Sequence, residues 1–382
     1  MLTIFSVTMV SDSQAKTIHT KGVSMAKLSL SRLAAFVLGF EATEFRVGID
    51  VHKKSYSLAL LRIDDASIAW TGPARAETLL EPVKRFGLRI SAVVYEAGPT
   101  GFSLARRLER AGLKVIVVAP SRVPRPVRAG AKCDRLDCLK LAAYADRRGV
   151  RAIAVPSERE EAERSLLRRR HALADGRRRC KQRIKAHLLY LGVDAPEGLD
   201  RWSQASVASL GGLALRPAAR LTLESLMREL AFHNEELRRV EDQLVELMSS
   251  GSQHKPLAFL RTVPGVGFLT ATSYLLELYR PARFRNARQV ASYLGLAPMV
   301  HHSGGRKPRG RIAPVGQRRL RSLLIEASWV WKSRDPYAAK LYNRFFSQTG
   351  IAQKAIVAVA RRLAIILWRL CVEQRPYRIN PV

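Results

Sequence analysis

The chain of 382 residues is poor in cysteine and in acid, and it has no long hydrophobic run. Its four cysteines, Cys133, Cys138, Cys180 and Cys371, show neither pairing nor zinc-ligand spacing, which excludes a disulfide framework and fits free thiols in a reducing, cytoplasmic setting. Asp and Glu number 32 against 65 Lys and Arg, a formal net charge of +33, so the surface must carry positive patches that attract phosphate polyanions. The stretch from Leu28 to Phe40 is apolar, but it begins late, contains Arg32, lacks a small-residue cleavage site and is too short to cross a bilayer. It reads as a helix or a disordered lead-in, with Met25 as a candidate start, and no membrane partner is expected.

What is present is a chain long enough for two substantial cores and a connector. Residues 1–44 read as a poorly ordered extension, and the pattern changes at Phe45. Phe45 to Asp50 and Ser55 to Leu61 read as a hairpin. A strand at Ser67 to Trp70, a helix at Ala76 to Phe86, a strand at Ile90 to Tyr95, a helix at Gly101 to Ala111 and a strand at Lys114 to Ala119 complete an α/β domain with a mixed sheet over 45–155.

Asp134 then opens a helix. Beyond Pro156 the chain turns helical and charged, with Ser157 and Glu160 as a capping box and an Arg cluster from Arg168 to Arg183 that reads as solvated or facing nucleic acid rather than core. Leu223, Leu226, Leu230, His233, Leu237, Val240, Leu244 and Leu247 alternate at three and four residues, the seam of a coiled coil. The seam suits a dimer, or a partner helix within the same chain, with His233 setting the register. This connector spans 156–255. A mainly helical region fills 256–382, with a linker near Gly251, His254 and Pro256.

Asp50 ends a buried strand, Glu96 follows another, and Asp134 and Asp137 stand three apart at a helix start. These are the positions a ribonuclease-H-like fold uses. Two hard cations about 4 Å apart need such carboxylates converging from separate elements for an in-line phosphoryl displacement. A basic protein that only stays soluble, or sits on a ribosome, has no use for this quartet. Thr262 to Gly267 resembles a helix-hairpin-helix turn, where Gly265 and Gly267 permit a tight turn and the following helix offers amides to a phosphate. His302-Ser303-Gly304-Gly305 heads a loop with Arg306, Lys307, Arg309 and Arg311, followed by Arg318, Arg319 and Arg321. Ser303 there reads either as an activated nucleophile or as part of a phosphate-gripping turn.

Gly48 to Lys53, Tyr95 to Gly101 and Lys132 to Asp137 resemble the three acidic motifs of the transposase family of insertion sequences 110, 116 and 902, which is related to the pilin-gene invertase. Val263 to Gly267, Leu294 to Pro298, Ser303 to Gly305 and Gly316 to Leu320 resemble that family's C-terminal domain. The resemblance implies a RuvC-like, ribonuclease-H-type N-terminal domain, a coiled-coil connector that oligomerises the protein, and a helical C-terminal transposase domain. It also implies magnesium held by Asp50, Glu96, Asp134 and Asp137, Ser303 as the group that attacks DNA, a guide RNA from the element's own end, and a nucleoid-associated location. The chain departs from the family pattern at Cys133 and Cys138, where hydroxyl or small residues are usual. Ser292 is a second candidate serine whose apolar surroundings favour packing.

The reading that follows is a DNA transposase that uses the metal site and Ser303. Two alternatives stand beside it: a junction-resolving endonuclease using metal-activated water, and a non-catalytic nucleic-acid scaffold. A covalent protein–DNA link separates the first two.

Overall fold

In the computed structural model the described residues are 27–120, 134–145, 152–298, 312 and 316–379, with 134–136 described by backbone alone. They fall into two compact units, one ending at Pro156 and one beginning at Ser157. No helix among the described residues is long and apolar enough to cross a membrane.

The first unit begins with α1 (Leu30–Val37), then β1 (Glu44–Val51), β2 (Ser55–Leu61), β3 (Ser67–Pro73), α2 (Glu77–Arg85), β4 (Arg89–Glu96), α3 (Ser103–Arg110), β5 (Val115–Val118) and α4 (Asp134–Ala143). The strands form one sheet in the order β3-β2-β1-β4-β5. The hairpin read from the sequence is present, with Ile49 opposite Leu58, and β3 continues it antiparallel. β4 and β5 join β1 in parallel through helical crossovers.

Alternation sends side chains to two faces. Phe45, Val47 and Ile49 of β1, Leu58 and Leu60 of β2, and Val93 and Tyr95 of β4 bury one face against Leu33, Leu79, Leu104 and Leu108 of α1, α2 and α3. On the other face Val94 and Val118 pack under Leu141 of α4. For residues 28–40 the helical alternative is the one found. Leu33 and Val37 are buried, and Arg62 donates to the Phe36 carbonyl at 3.0 Å, so the part of the extension from Leu30 onward is docked rather than poorly ordered. Its apolar stripe supplies the reason: Leu33 and Val37 join the core on the Phe45 face of the sheet, and the Phe36 and Phe45 rings lie 6.4 Å apart.

The second unit comprises α5 (Glu158–Tyr190), α6 (Gln204–Ala208), α7 (Pro217–Ser250), α8 (His254–Arg261), α9 (Phe268–Leu278), α10 (Ala287–Tyr293), α11 (Arg318–Arg334), α12 (Pro336–Thr349) and α13 (Ala352–Glu373). The capping box is complete: the Glu160 amide donates to Ser157 Oγ at 3.1 Å and the Ser157 amide to Glu160 Oε2 at 2.7 Å.

The seam on α7 packs on α5 of the same chain. The two helices run antiparallel, with Arg170 on Glu241, the Cys180 thiol on the Leu226 carbonyl and His187 on the Ala219 carbonyl. Leu223, Leu230, Leu237, Val240 and Leu244 are buried in that contact, with Met248 in place of a fully buried Leu247. His233 rests on Gly176, where a Cβ would stand 2.5 Å from the imidazole, and its Nε2 lies 3.4 Å from Glu229. The Arg-rich helix is amphipathic. Leu167, Leu173, Cys180, Ile184 and Leu188 form a buried stripe, Arg164 is buried with them, and Arg168, Arg169, Arg178, Arg179 and Arg183 are exposed. A single core joins Leu167 and Leu173 of α5, Leu244 of α7 and Leu363 of α13, so residues before and after 255 share one interior.

Candidate active site

Strand register places the first two acids. Ile49 and Tyr95 are Cα partners in the parallel β1–β4 ladder, and both are buried in the same core. Asp50 and Glu96 are the next residues on each strand, so alternation turns both to the opposite face, the one that α4 covers. On its other side Asp50 is partnered by Ser57 of β2, which is 2% exposed.

Gly48 allows α4 to lie over this edge. A Cβ there would stand 1.9 Å from the Cys138 carbonyl oxygen and 2.4 Å from the Ala142 nitrogen, so helix backbone rests on strand backbone two residues before Asp50. The contact fixes α4 over the strand ends, and its first turn carries Asp134 and Asp137 three residues apart. Cys138 is wholly buried in this contact. Burial pushes its thiol up to about 12, and Asp50 and Asp137 both add to the rise.

Two basic side chains attend the acids. His52 Nε2 lies 3.2 Å from Asp50 Oδ2, and Lys140 Nζ lies 3.3 Å from Asp137 Oδ1. Among the described side chains, which do not include that of Asp134, no three His, Cys, Asp or Glu groups form a cluster that could hold a metal ion. Gly48, Ser57 and Lys140 carry no role in the sequence reading. Only Gly48 leaves a signal there, since a glycine within a buried strand often marks a close backbone approach.

The second unit holds the remaining candidates. The turn from Thr262 to Gly267 joins α8 to α9, and Gly265 has φ +85°. A Cβ at Gly265 would lie 2.5 Å from the Ala327 carbonyl and 2.9 Å from Val330 Cβ, so the turn is seated on α11. Gly267 is exposed, and α9 opens without a side-chain cap, although Thr270 to Leu278 of the same helix are buried.

Two further motif segments meet. A Cβ on Gly316 would stand 2.5 Å from the Gly295 nitrogen, Arg321 donates to the Gly295 carbonyl at 3.1 Å, and Pro298 and Ile312 form an isolated antiparallel bridge. Ser303, Gly304, Gly305, Arg306, Lys307 and Arg309 fall between those bridge partners and lie outside the described residues. Arg318 is exposed, whereas Arg319 is ion-paired to Asp175 of α5. That pairing holds the Asp175 carboxyl below its usual range. Ser292 is exposed on α10 rather than packed, because the helix buries Val290 and Ala291 instead.

Residues 257–343 match the model described as the IS116/IS110/IS902 transposase family, and residues 47–191 match a second model described as a transposase. A Sinorhizobium fredii protein named as transposase y4rJ is 32% identical over 304 residues, covering 72% of this chain and 76% of its own. The transposase for insertion sequence element IS1111A of Coxiella burnetii is 25% identical, with 87% and 91% covered. The transposase for element IS1533 of Leptospira borgpetersenii is 26% identical, with 87% and 97% covered. The acid-bearing edge and the Gly265 turn thus both lie within matched segments, and the chain belongs to the IS116/IS110/IS902 family of transposases, enzymes that cut and rejoin DNA to mobilise insertion sequences.

Proposed function

We propose that Asp50, Glu96, Asp134 and Asp137 form the catalytic acid site of this transposase, in a ribonuclease-H/RuvC-like first unit, and that Ser303 is the nucleophile. The observation that carries the reading is the register of β1 and β4. It sets Asp50 and Glu96 side by side on the face that α4 crosses. The mixed sheet, with an antiparallel meander extended by two parallel strands, supports the fold assignment.

The four residues are carboxylates from two strands and one helix, the hard oxygen donors that a divalent cation takes. Magnesium held by Asp50, Glu96, Asp134 and Asp137 would supply charge stabilisation at a phosphate. The chain's own groups do the rest. His52 and Lys140 orient Asp50 and Asp137.

Ser303 Oγ attacks the phosphorus as the bond from phosphorus to one sugar oxygen breaks, and that oxygen leaves with a proton. The phosphoserine link conserves the bond energy, and the hydroxyl of another strand end reverses the step to rejoin DNA. Gly304, Gly305, Arg306, Lys307, Arg309, Arg318 and the amides opening α9 at Gly267, in a helix-hairpin-helix arrangement with Gly265, grip phosphates. Arg319 joins them on release from Asp175.

Arg178 and Arg179, exposed on α5, suit the backbone of a guide RNA. A second copy would dock on the hairpin of α5 and α7 outside its occupied seam, where Leu221, Phe232 and Val245 are exposed.

The test is a denaturing gel for DNA attached covalently to the protein, with magnesium and element-end RNA, comparing Ser303→Ala and Asp50→Asn with wild type. The expected result is an adduct that both substitutions abolish. Strand cutting that persists in Ser303→Ala, with no adduct in any sample, would instead establish a nuclease using metal-activated water.

A further inference from the structure

The strongest surface feature outside the acid site is a row of aromatic rings on α11 and α12. Trp329 is 38% exposed and Phe346 43%, which is high for such large side chains. They are not scattered. Trp329 lies 5.7 Å from Tyr342, and Tyr342 is stacked on Phe346 at 5.8 Å with ring planes 8° apart, so the buried Tyr342 backs the two exposed rings. Val330, also exposed, borders the row.

Charge accompanies the rings. Lys332 Nζ sits 3.8 Å from the Tyr342 centroid and 5.4 Å from that of Trp329. Arg334, Lys340 and Arg344 are exposed on the same two helices, with Glu326 as the acidic exception on α11. The Gly265 turn is seated on Ala327 and Val330 of the same helix that carries Trp329.

A protein partner would favour an apolar patch without a lysine set against its rings. Base faces combined with phosphates satisfy both features at once, because every base offers a π-face and every linkage a negative charge. Duplex DNA hides its base faces in the stack, so only an unpaired strand can use such a surface.

We propose that Trp329 and Phe346, backed by the buried Tyr342 between them, form a stacking platform for the bases of an unpaired DNA strand, with Lys332 holding its phosphates. The platform rests on the reading of the second unit as a DNA-binding element. It keeps a separated strand near the Gly265 turn, and it discriminates strand state rather than sequence.

The experiment measures fluorescence anisotropy of the full chain with a labelled single-stranded DNA, a duplex and an RNA of the same sequence, in EDTA so that nothing is cut. Trp329→Ala and Phe346→Ala should each weaken single-strand binding by about 5- to 50-fold while duplex binding stays within about two-fold. Trp329→Phe should keep most of the affinity, which separates lost stacking from lost folding. Equal losses on single strand and duplex, no loss, a loss confined to RNA, or a fall in oligomeric mass in Trp329→Ala would each overturn the proposal. If adduct formation by Ser303 fails while strand binding still depends on Trp329, the platform stands and the serine reading falls. If adducts form normally and Trp329→Ala binds like wild type, the platform alone falls.

Discussion

In the first unit the candidate chemistry is carried on regular structure, whereas in the second it is carried on connections. Asp50 and Glu96 are held by ladder register, and α4 is held over them by backbone contact at Gly48. The Gly265 turn, by contrast, is a loop fastened to α11, and the segment with Ser303 runs between the bridge partners Pro298 and Ile312. Sites built on strands keep their geometry more closely than sites on loops. The difference sets acids placed by strand register against a turn placed by its seat on one helix.

The hardest test of that contrast is Gly48→Ala. The added methyl group meets a carbonyl oxygen at 1.9 Å and an amide nitrogen at 2.4 Å, both backbone atoms of α4, so no side-chain rotation relieves it. The expected loss is about 3 kcal/mol or more, read from denaturant unfolding, together with loss of strand cutting as α4 is displaced. A loss under about 1 kcal/mol would show that α4 is not fixed by this contact.

The second unit is expected to report its own state through His171. Burial first, then Arg170 and Arg319, lowers this imidazole from 6.5 to about 4. Its folded form is therefore neutral where the unfolded form takes up a proton. Stability from this group is complete above pH 6.5 and is lost as pH falls toward 4, by about 3 kcal/mol at most. Unfolding at pH 7.5 and at pH 4.5 should diverge less in His171→Gln than in wild type. Equal divergence would assign the acid sensitivity to the carboxylates alone.

Much of the first unit is legible in the sequence, because its information is local. Alternating runs give β1 to β5, and the acids end them or open the next helix. Where α4 lies is not local, and only Gly48 hints at it. On α7 the three-four spacing shows a stripe but cannot say which helix covers it. The long-range pairs Arg170 with Glu241, Arg183 with Glu229 and Arg319 with Asp175 commit part of an apparent nucleic-acid face to ion pairs within the chain, the last two of them at the surface. Charge counts do not contain that pairing. Nor does an apolar neighbourhood in sequence bury Ser292, since on a helix adjacent residues face different ways.

Gly265→Ala brings the comparison to the second unit. The left-handed backbone and the Ala327 carbonyl at 2.5 Å both oppose a side chain, and an expected cost of about 2 kcal/mol should appear in unfolding. Single-strand and duplex affinity should fall together, because the turn would leave its seat on α11. A stability loss with unchanged DNA affinity would remove the turn from the binding surface.

The smallest expected effect is at the head of α5. Ser157→Ala removes one of the two reciprocal bonds of the capping box and leaves the Glu160 amide to water. A cap of this kind contributes about 1 kcal/mol. The helix it opens runs from Glu158 to Tyr190 and packs along α7 over most of that length, so packing rather than the cap decides whether it forms. The loss should therefore stay near 1 kcal/mol and fall on the unfolding of the helical unit, with amide exchange in β1 and β4 unchanged. Faster exchange in those strands would mean that the two units unfold as one, and the contrast between a strand-held acid edge and a separately seated turn would fail at its root.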